Sequence, residues 1–157
     1  LYTTDSEADT QIGSLKFNWE PGFIYGKGFP FGIFKKYGEF LVRADLSLNA
    51  EGGYVFNDGG NKQLENTNEF LRIGPSTRLL VRGAQETILS QFQADLSYKY
   101  LFGIAGDLDE FNRLDLGLSY FFPNQENFSV RLSYKRGRVE ETLEKENLWE
   151  AALGIRY

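Results

Sequence analysis

The chain has 157 residues and a formal charge of -5, from 17 Lys and Arg against 22 Asp and Glu; this suits one domain with its own core and leaves no uniformly basic surface for nucleic acid. With no Cys and no His, disulfides, thiol and imidazole catalysis and nearly all zinc or copper sites are excluded, so the expectation is a non-enzyme without metal or cofactor. No run approaches the ~20 apolar residues of a membrane-spanning helix, whereas aromatics reach 16%, with 14 Phe and 9 Tyr, a composition that leans towards β-structure.

Residues 1–10 are polar and read as a flexible tail ahead of a single domain over 11–157. No Met stands at position 1, so the chain reads as starting after a processing step or as a piece of a longer one. A first strand is expected at 13–20, followed by 23–34, where Pro30 and several Gly interrupt any pattern. After a short turn at Lys35 to Glu39, residues 40–50 set Phe40, Val42, Ala44, Leu46 and Leu48 against Arg43, Asp45, Ser47 and Asn49. That two-residue period places successive side chains on opposite faces of a strand.

A long loop is expected over 51–68; its Asn57-Asp58-Gly59-Gly60 turn signal suits a hairpin that extends beyond the strands. Strand 69–82 carries Pro75, which implies a bulge or an edge. Strand 91–100 opposes Phe92, Ala94, Leu96, Tyr98 and Tyr100 to Gln93, Asp95, Ser97 and Lys99. Strand 111–122 opposes Leu114, Leu116, Leu118, Tyr120 and Phe122 to Arg113, Asp115, Gly117 and Ser119. In 127–136, Phe128, Val130, Leu132 and Tyr134 oppose Ser129, Arg131, Ser133 and Lys135, and in 148–157 Trp149, Ala151, Leu153, Ile155 and Tyr157 oppose Glu150, Ala152, Gly154 and Arg156. Short connections at 35–39, 83–86 and 123–126 alternate with longer acidic ones at 51–68, 103–110 and 138–146. The layout predicts an all-β, antiparallel up-and-down barrel of about eight strands.

Alternation alone fits a soluble barrel, apolar inside, or a membrane barrel, apolar outside. Three features favour the second. The polar faces mix charge with Ser47, Ser97, Gly117, Ser119, Ser129, Ser133 and Gly154, small groups that a narrow lumen requires and a solvent-exposed face does not. The apolar faces are bulky over about ten residues, the length of a tilted membrane strand. Aromatics gather near strand ends, as at Tyr98, Tyr100, Tyr120, Phe122, Phe128 and Tyr134, which suits interfacial girdles.

The last strand, Trp-Glu-Ala-Ala-Leu-Gly-Ile-Arg-Tyr over 149–157, resembles the C-terminal strand of bacterial outer-membrane β-barrels. The resemblance implies that Trp149, Leu153, Ile155 and Tyr157 form an assembly signal read by the barrel-insertion machinery. It departs from that pattern in having Ala152 for the usual Gly and Ile155 where an aromatic is frequent. The implied setting is the bacterial outer membrane, with a transmembrane barrel, small or part of a larger one, contacting the lipid bilayer and lipopolysaccharide.

On this reading the inward set includes Lys16, Arg43, Arg72, Arg78, Arg82, Lys99, Arg113, Arg131, Lys135 and Arg156, faced by Glu20, Asp45, Asp95, Asp115 and Glu150. One expectation is a network of ion pairs that fills the interior. The other is an anion-biased, porin-like or export conduit. Eight strands are just filled by their own side chains, so conduction needs an oligomer or a larger barrel. Arg136 and Arg138 sit on the outward parity at a long-loop end, placed to meet lipopolysaccharide phosphates or simply water. Asp107, Asp109 and Glu110 lack a full Ca²⁺ ligand spacing and read as a solvated acidic loop. Three functions stay open: a membrane-embedded anchor or scaffold displaying surface loops, a transport conduit, and a soluble lipid-binding barrel.

Overall fold

In the computed structural model, residues 2–5, 10–21, 30–57, 68–85, 87–106, 110–123, 128–139 and 145–155 are described. They form strands β1 (Tyr2–Asp5), β2 (Thr10–Trp19), β3 (Lys35–Tyr37), β4 (Phe40–Asn57), β5 (Glu69–Gly83), β6 (Phe92–Ala105), β7 (Phe111–Phe121), β8 (Phe128–Arg138) and β9 (Lys145–Ile155), with one short 3₁₀ turn at Ile88–Gln91. All but β3 follow one path, β1-β2-β4-β5-β6-β7-β8-β9, and every strand pairing is antiparallel. The sheet is strongly curled into a half-barrel.

The curl follows from the two faces. Leu, Phe, Tyr and Trp crowd one parity, and Ser, Gly and ions occupy the other. The smaller face becomes concave, on top of the right-handed twist that every sheet carries. Register shifts between Gln11 and Ile12 and between Leu71 and Arg72 add the local bend that bulges bring.

Three differences from the sequence expectation stand out. Tyr2–Asp5, read as part of a tail, forms β1 on the outer side of β2. Residues 51–57, assigned to a loop, continue β4 through Asn57, with Tyr54 opposite Glu69. The anticipated hairpin extension is therefore built of strand, and its turn signal at Asp58 to Gly60 lies outside the described residues. Finally, the stretch 23–34 supplies no named strand among its described residues; 22–29 lie outside them. Phe31 makes a single parallel bridge to Ala44, where the Ala44 N–H donates to the Pro30 carbonyl (2.7 Å) and the Gly32 N–H to the Ala44 carbonyl (2.8 Å). The chain thus fills the edge of β4 between β2, paired to its second half, and β3, paired to its start.

Pro75 sits inside β5, as a local irregularity of the ladder. Its register partner on the β4 side is Leu48, whereas pairing to β6 skips from Ile73 to Ser76, because Pro offers no N–H. At the neighbouring Gly74 a Cβ would collide with the Tyr100 carbonyl oxygen, so the close approach of β6 requires glycine.

Burial is inverted relative to a water-soluble sheet packed on an apolar core. On the apolar parity Leu15 is 81% exposed, Leu153 83% and Trp149 64%, with Leu116, Leu118 and Leu132 also exposed. On the ionic parity Arg72 is 2% exposed and Glu51 5%. Leu116, Leu132 and Tyr134 therefore do not form a central core.

Candidate functional site

The concave face holds a groove of about 690 Å³ lined by side chains of β4, β5, β6 and β7, among them Arg43, Asp45, Arg78, Lys99, Arg113 and Asp115. The alternation places each of them: Asp45 stands opposite Arg78, Arg78 opposite Ser97 and Ser97 opposite Asp115, one row across four strands. Small Ser47, Ser76 and Ser97 leave the room.

Most of the charge is paired locally. Arg43 Nε lies 2.9 Å from Asp45 Oδ1, and Arg113 Nε lies 3.1 Å from Asp115, with its Nη2 3.5 Å from Glu146. Lys135 Nζ meets Glu150 at 2.7 Å. Beside these ions runs a neutral ladder: Asn18 donates to Ser47 (3.2 Å) and Asn49 (3.0 Å), Asn49 donates to Ser76 (2.9 Å), and the Ser47 and Ser76 hydroxyls are 2.7 Å apart. Arg78 has no ion-pair partner among the described residues, although Asp45 faces it, because Asp45 is held by Arg43. Arg82 leaves the groove and lies over the Phe34 ring at 4.2 Å. Lys99 lies 5.7 Å from the Phe111 ring centre.

Asp95 and Arg131 come together although a whole strand, β7, separates them in sequence. The guanidinium of Arg131 on β8 reaches across β7 to grip Asp95 on β6 through two hydrogen bonds of 2.7 and 2.9 Å, and it touches Ser119 Oγ at 3.3 Å. Gly117, opposite both Asp95 and Ser133, makes the passage: a Cβ there would collide with the guanidinium and stand 2.7 Å from Asp95 Oδ1. Asp95 and Ser119 are buried while the Arg131 side chain stays partly exposed, so the pair is a geometrically fixed clamp across three strands with its carboxylate end shielded from water.

One end of the concave face is closed by a cluster that sequence reading missed. Ile12, Val55, Phe70, Leu101 and Phe111 pack together on the parity otherwise given to ions. Arg72 lies between the rings of Phe70 (5.5 Å) and Phe111 (5.1 Å), bonded to Glu51 at 2.7 and 2.9 Å; Lys16 stands 3.8 Å from Glu51. Arg72 Nη1 is buried without a hydrogen-bond partner. The overlooked signal was the apolar set Ala50, Gly52, Tyr54 and Phe56 continuing the outward parity of β4, which places Glu51 inward and opposite Arg72.

Outside the groove, Arg136 and Arg138 line a separate cavity at one end of β8 with Lys145. Of the expected assembly signal, Trp149 and Leu153 are exposed on the outward face of β9, and Trp149 stacks at 4.7 Å on Tyr134. The side chain of Ile155, and Arg156 and Tyr157 altogether, lie outside the described residues, as do Asp107 and Asp109. Glu110 faces the Tyr100 hydroxyl.

No protein-family model, curated protein or solved structure matches the chain.

Proposed function

We propose that this chain forms the wall of a β-barrel embedded in a bacterial outer membrane, with its apolar parity in lipid and its ionic parity on the enclosed aqueous side, serving as a membrane-anchored scaffold. One observation carries the reading: large apolar side chains are exposed on the convex face while Asp95, Glu51 and Arg72 are buried on the concave one. A broad exposed apolar face of this kind marks a membrane or protein interaction surface. A soluble lipid-binding barrel needs the opposite facing. The resemblance of β9 to an assembly strand supports the same reading, since Trp149 and Leu153 point outward and β9 has one strand neighbour among the described residues; the partner there is the barrel-insertion machinery.

The test uses the absence of Cys: single cysteines at 128–135 are introduced one at a time into protein inserted in vesicles. Labels at 128, 130, 132 and 134 are expected to respond to a lipid-soluble quencher, and those at 129, 131, 133 and 135 to a water-soluble one. Equal access at both parities, or the reverse pattern, overturns the proposal.

Arg78 favours a second reading, an anion-biased conduit. In the groove Arg43 and Arg113 are matched by Asp45 and Asp115, and the lining as a whole sets four cations, Arg78 and Lys99 among them, against three carboxylates, Glu20 included, a small excess of positive fixed charge. A half-barrel encloses no pore, so passage requires further wall, from a second copy or from additional strands. Planar-bilayer currents with an anion-selective reversal potential that Arg78→Glu inverts are the expected result; no current rejects the conduit and leaves the scaffold.

A further inference from the structure

We infer that the concave groove is a binding site for a small hydroxylated monocarboxylate, its carboxylate held by Arg78 and Ser97; this rests on the reading of the concave face as the aqueous one. The charge of the lining carries the inference. Four cations face three carboxylates there, and the acids are engaged: Asp45 by Arg43 at 2.9 Å and Asp115 by Arg113 at 3.1 Å, while Glu20 and Lys99 have partners of their own. Arg78 is the one charged side chain of the groove with no hydrogen bond or ion pair among the described residues. The groove is therefore balanced by one negative charge and no more.

Position supplies a second donor. Arg78 stands opposite Ser97 in the ladder between β5 and β6, and facing side chains of paired strands are about 5 Å apart at Cβ. Ser97 also lines the groove, and its hydroxyl has no hydrogen bond among the described residues. A guanidinium offers two parallel N–H groups to a carboxylate, and a neighbouring O–H can donate to the same group. The flanks decide the charge of the ligand. Asp45 lies opposite Arg78 on one side and Asp115 opposite Ser97 on the other, so a dianion would meet two carboxylates where a monoanion is matched by Arg78 alone.

The same acids select the rest of the solute. Asp45 Oδ1 takes the Arg43 N–H; among the described residues its second oxygen accepts no hydrogen bond and is free to take one from a hydroxyl of the bound molecule. In the next inward row Ser47 and Ser76 also line the groove, their hydroxyls 2.7 Å apart. A solute with several hydroxyls finds both donors and acceptors on this wall, and an apolar acid would leave them unmatched. The groove, about 690 Å³, holds an acid the size of a monosaccharide together with water.

Gluconate is the probe, with glucose as an uncharged counterpart and inorganic phosphate as the competing anion. Binding is read from the linewidth of carboxyl-¹³C gluconate over the full chain in detergent micelles. Saturable broadening at one site per chain is expected, with no displacement by glucose and displacement by phosphate only at about tenfold higher concentration. Arg78→Gln should weaken binding about tenfold or more. Arg78→Lys should recover little of it, because an ammonium keeps the charge and loses the fork. Lys36→Gln, which removes a cation on β3, should bind as the parent does.

Arg78 holds no partner, so its replacement leaves no stranded charge; the comparison of gluconate with glucose on unaltered protein decides the matter even if the variants do not fold. Displacement by an equal concentration of glucose, tighter binding of phosphate, or unchanged binding in Arg78→Gln each overturns the site. No broadening overturns it too, and leaves the membrane reading intact where labels at 129, 131, 133 and 135 meet a water-soluble quencher. Where those labels do not, both fall.

Discussion

Arg131 spans β7 because residue 117 has no side chain, and that single dependence makes the clamp testable. The Asp95 side chain is buried and that of Arg131 is two-fifths exposed, so the two ends are unequal. Removing the cation strands a carboxylate that water cannot reach, and Arg131→Leu should destabilise the folded protein by about 3 kcal/mol, the low end for an uncompensated buried charge. Asp95→Asn leaves a guanidinium that groove water can solvate and should cost only about 1 kcal/mol. Gly117→Val fills the guanidinium's path; it should be as damaging as Arg131→Leu alone and add little to it in the double variant, since both abolish one interaction. Urea unfolding from detergent micelles or vesicles gives all four values, and additive losses for Gly117→Val and Arg131→Leu would show that the glycine serves something else. The charges of the clamp were legible in the sequence as inward-facing partners. Their pairing was not, because Asp95 and Arg131 sit on strands that are not neighbours, and only the empty position on β7 lets them meet.

At the scale of the strand, alternation was readable where each face keeps one character. β6, β7 and β8 do so through most of their length, and their expected spans differ from the observed ones mainly at the ends. The pattern failed where a face changes character part-way along. β4 carries Asp45, Ser47, Asn49 and Glu51 on one parity and then Val55 on the same parity; the inward face turns apolar to meet Ile12, Phe70, Leu101 and Phe111. Gly52 and Gly53 in that stretch read as loop chemistry, yet Gly53 opposes Phe70 and gives its ring room, for a Cβ there would stand 2.7 Å from the ring. The Glu51–Arg72 pair closes this end, and it follows the asymmetry of buried ion pairs. Glu51→Leu alone or Arg72→Met alone should destabilise by roughly 3 kcal/mol, while the double replacement should restore most of the loss or exceed the parent, since two apolar groups cost no desolvation and Arg72 Nη1 is already unsatisfied. Thermal or urea midpoints of the three variants check it, and a double variant as poor as the worse single one would mean that Lys16 or the aromatic rings hold Arg72 independently of Glu51.

For the whole molecule, the sequence specified a sheet with two chemically distinct faces but not how far it would curl, because curvature sums small per-strand rotations and bulges such as those at Gln11 and Leu71 that leave no periodic trace. The faces nevertheless decide which environment the fold tolerates. From Leu114 to Phe122, just past the end of β7, the outward residues cover about 27 Å along the chain at about 3.4 Å per residue, which at a tilt of about 40° is about 21 Å of height, close to the apolar band of about 25 Å in membrane barrels. Leu116 and Leu132 lie in the middle of that band, with Leu118 and Leu132 opposite each other on β7 and β8. Leu116→Arg or Leu132→Arg would place a charge at the depth where a lipid-facing strand tolerates it least, at a cost of about 2–4 kcal/mol. Ser97→Arg, on the concave groove wall between Arg78 and Asp115, adds the same charge facing water and should cost little. In vesicles of neutral lipid, the folded fraction, read from heat-modifiable gel migration, is expected to fall sharply for the two leucine variants and to hold for the serine variant. If all three insert alike, the convex face is not in hydrocarbon. If Ser97→Arg alone fails, the two faces must exchange roles.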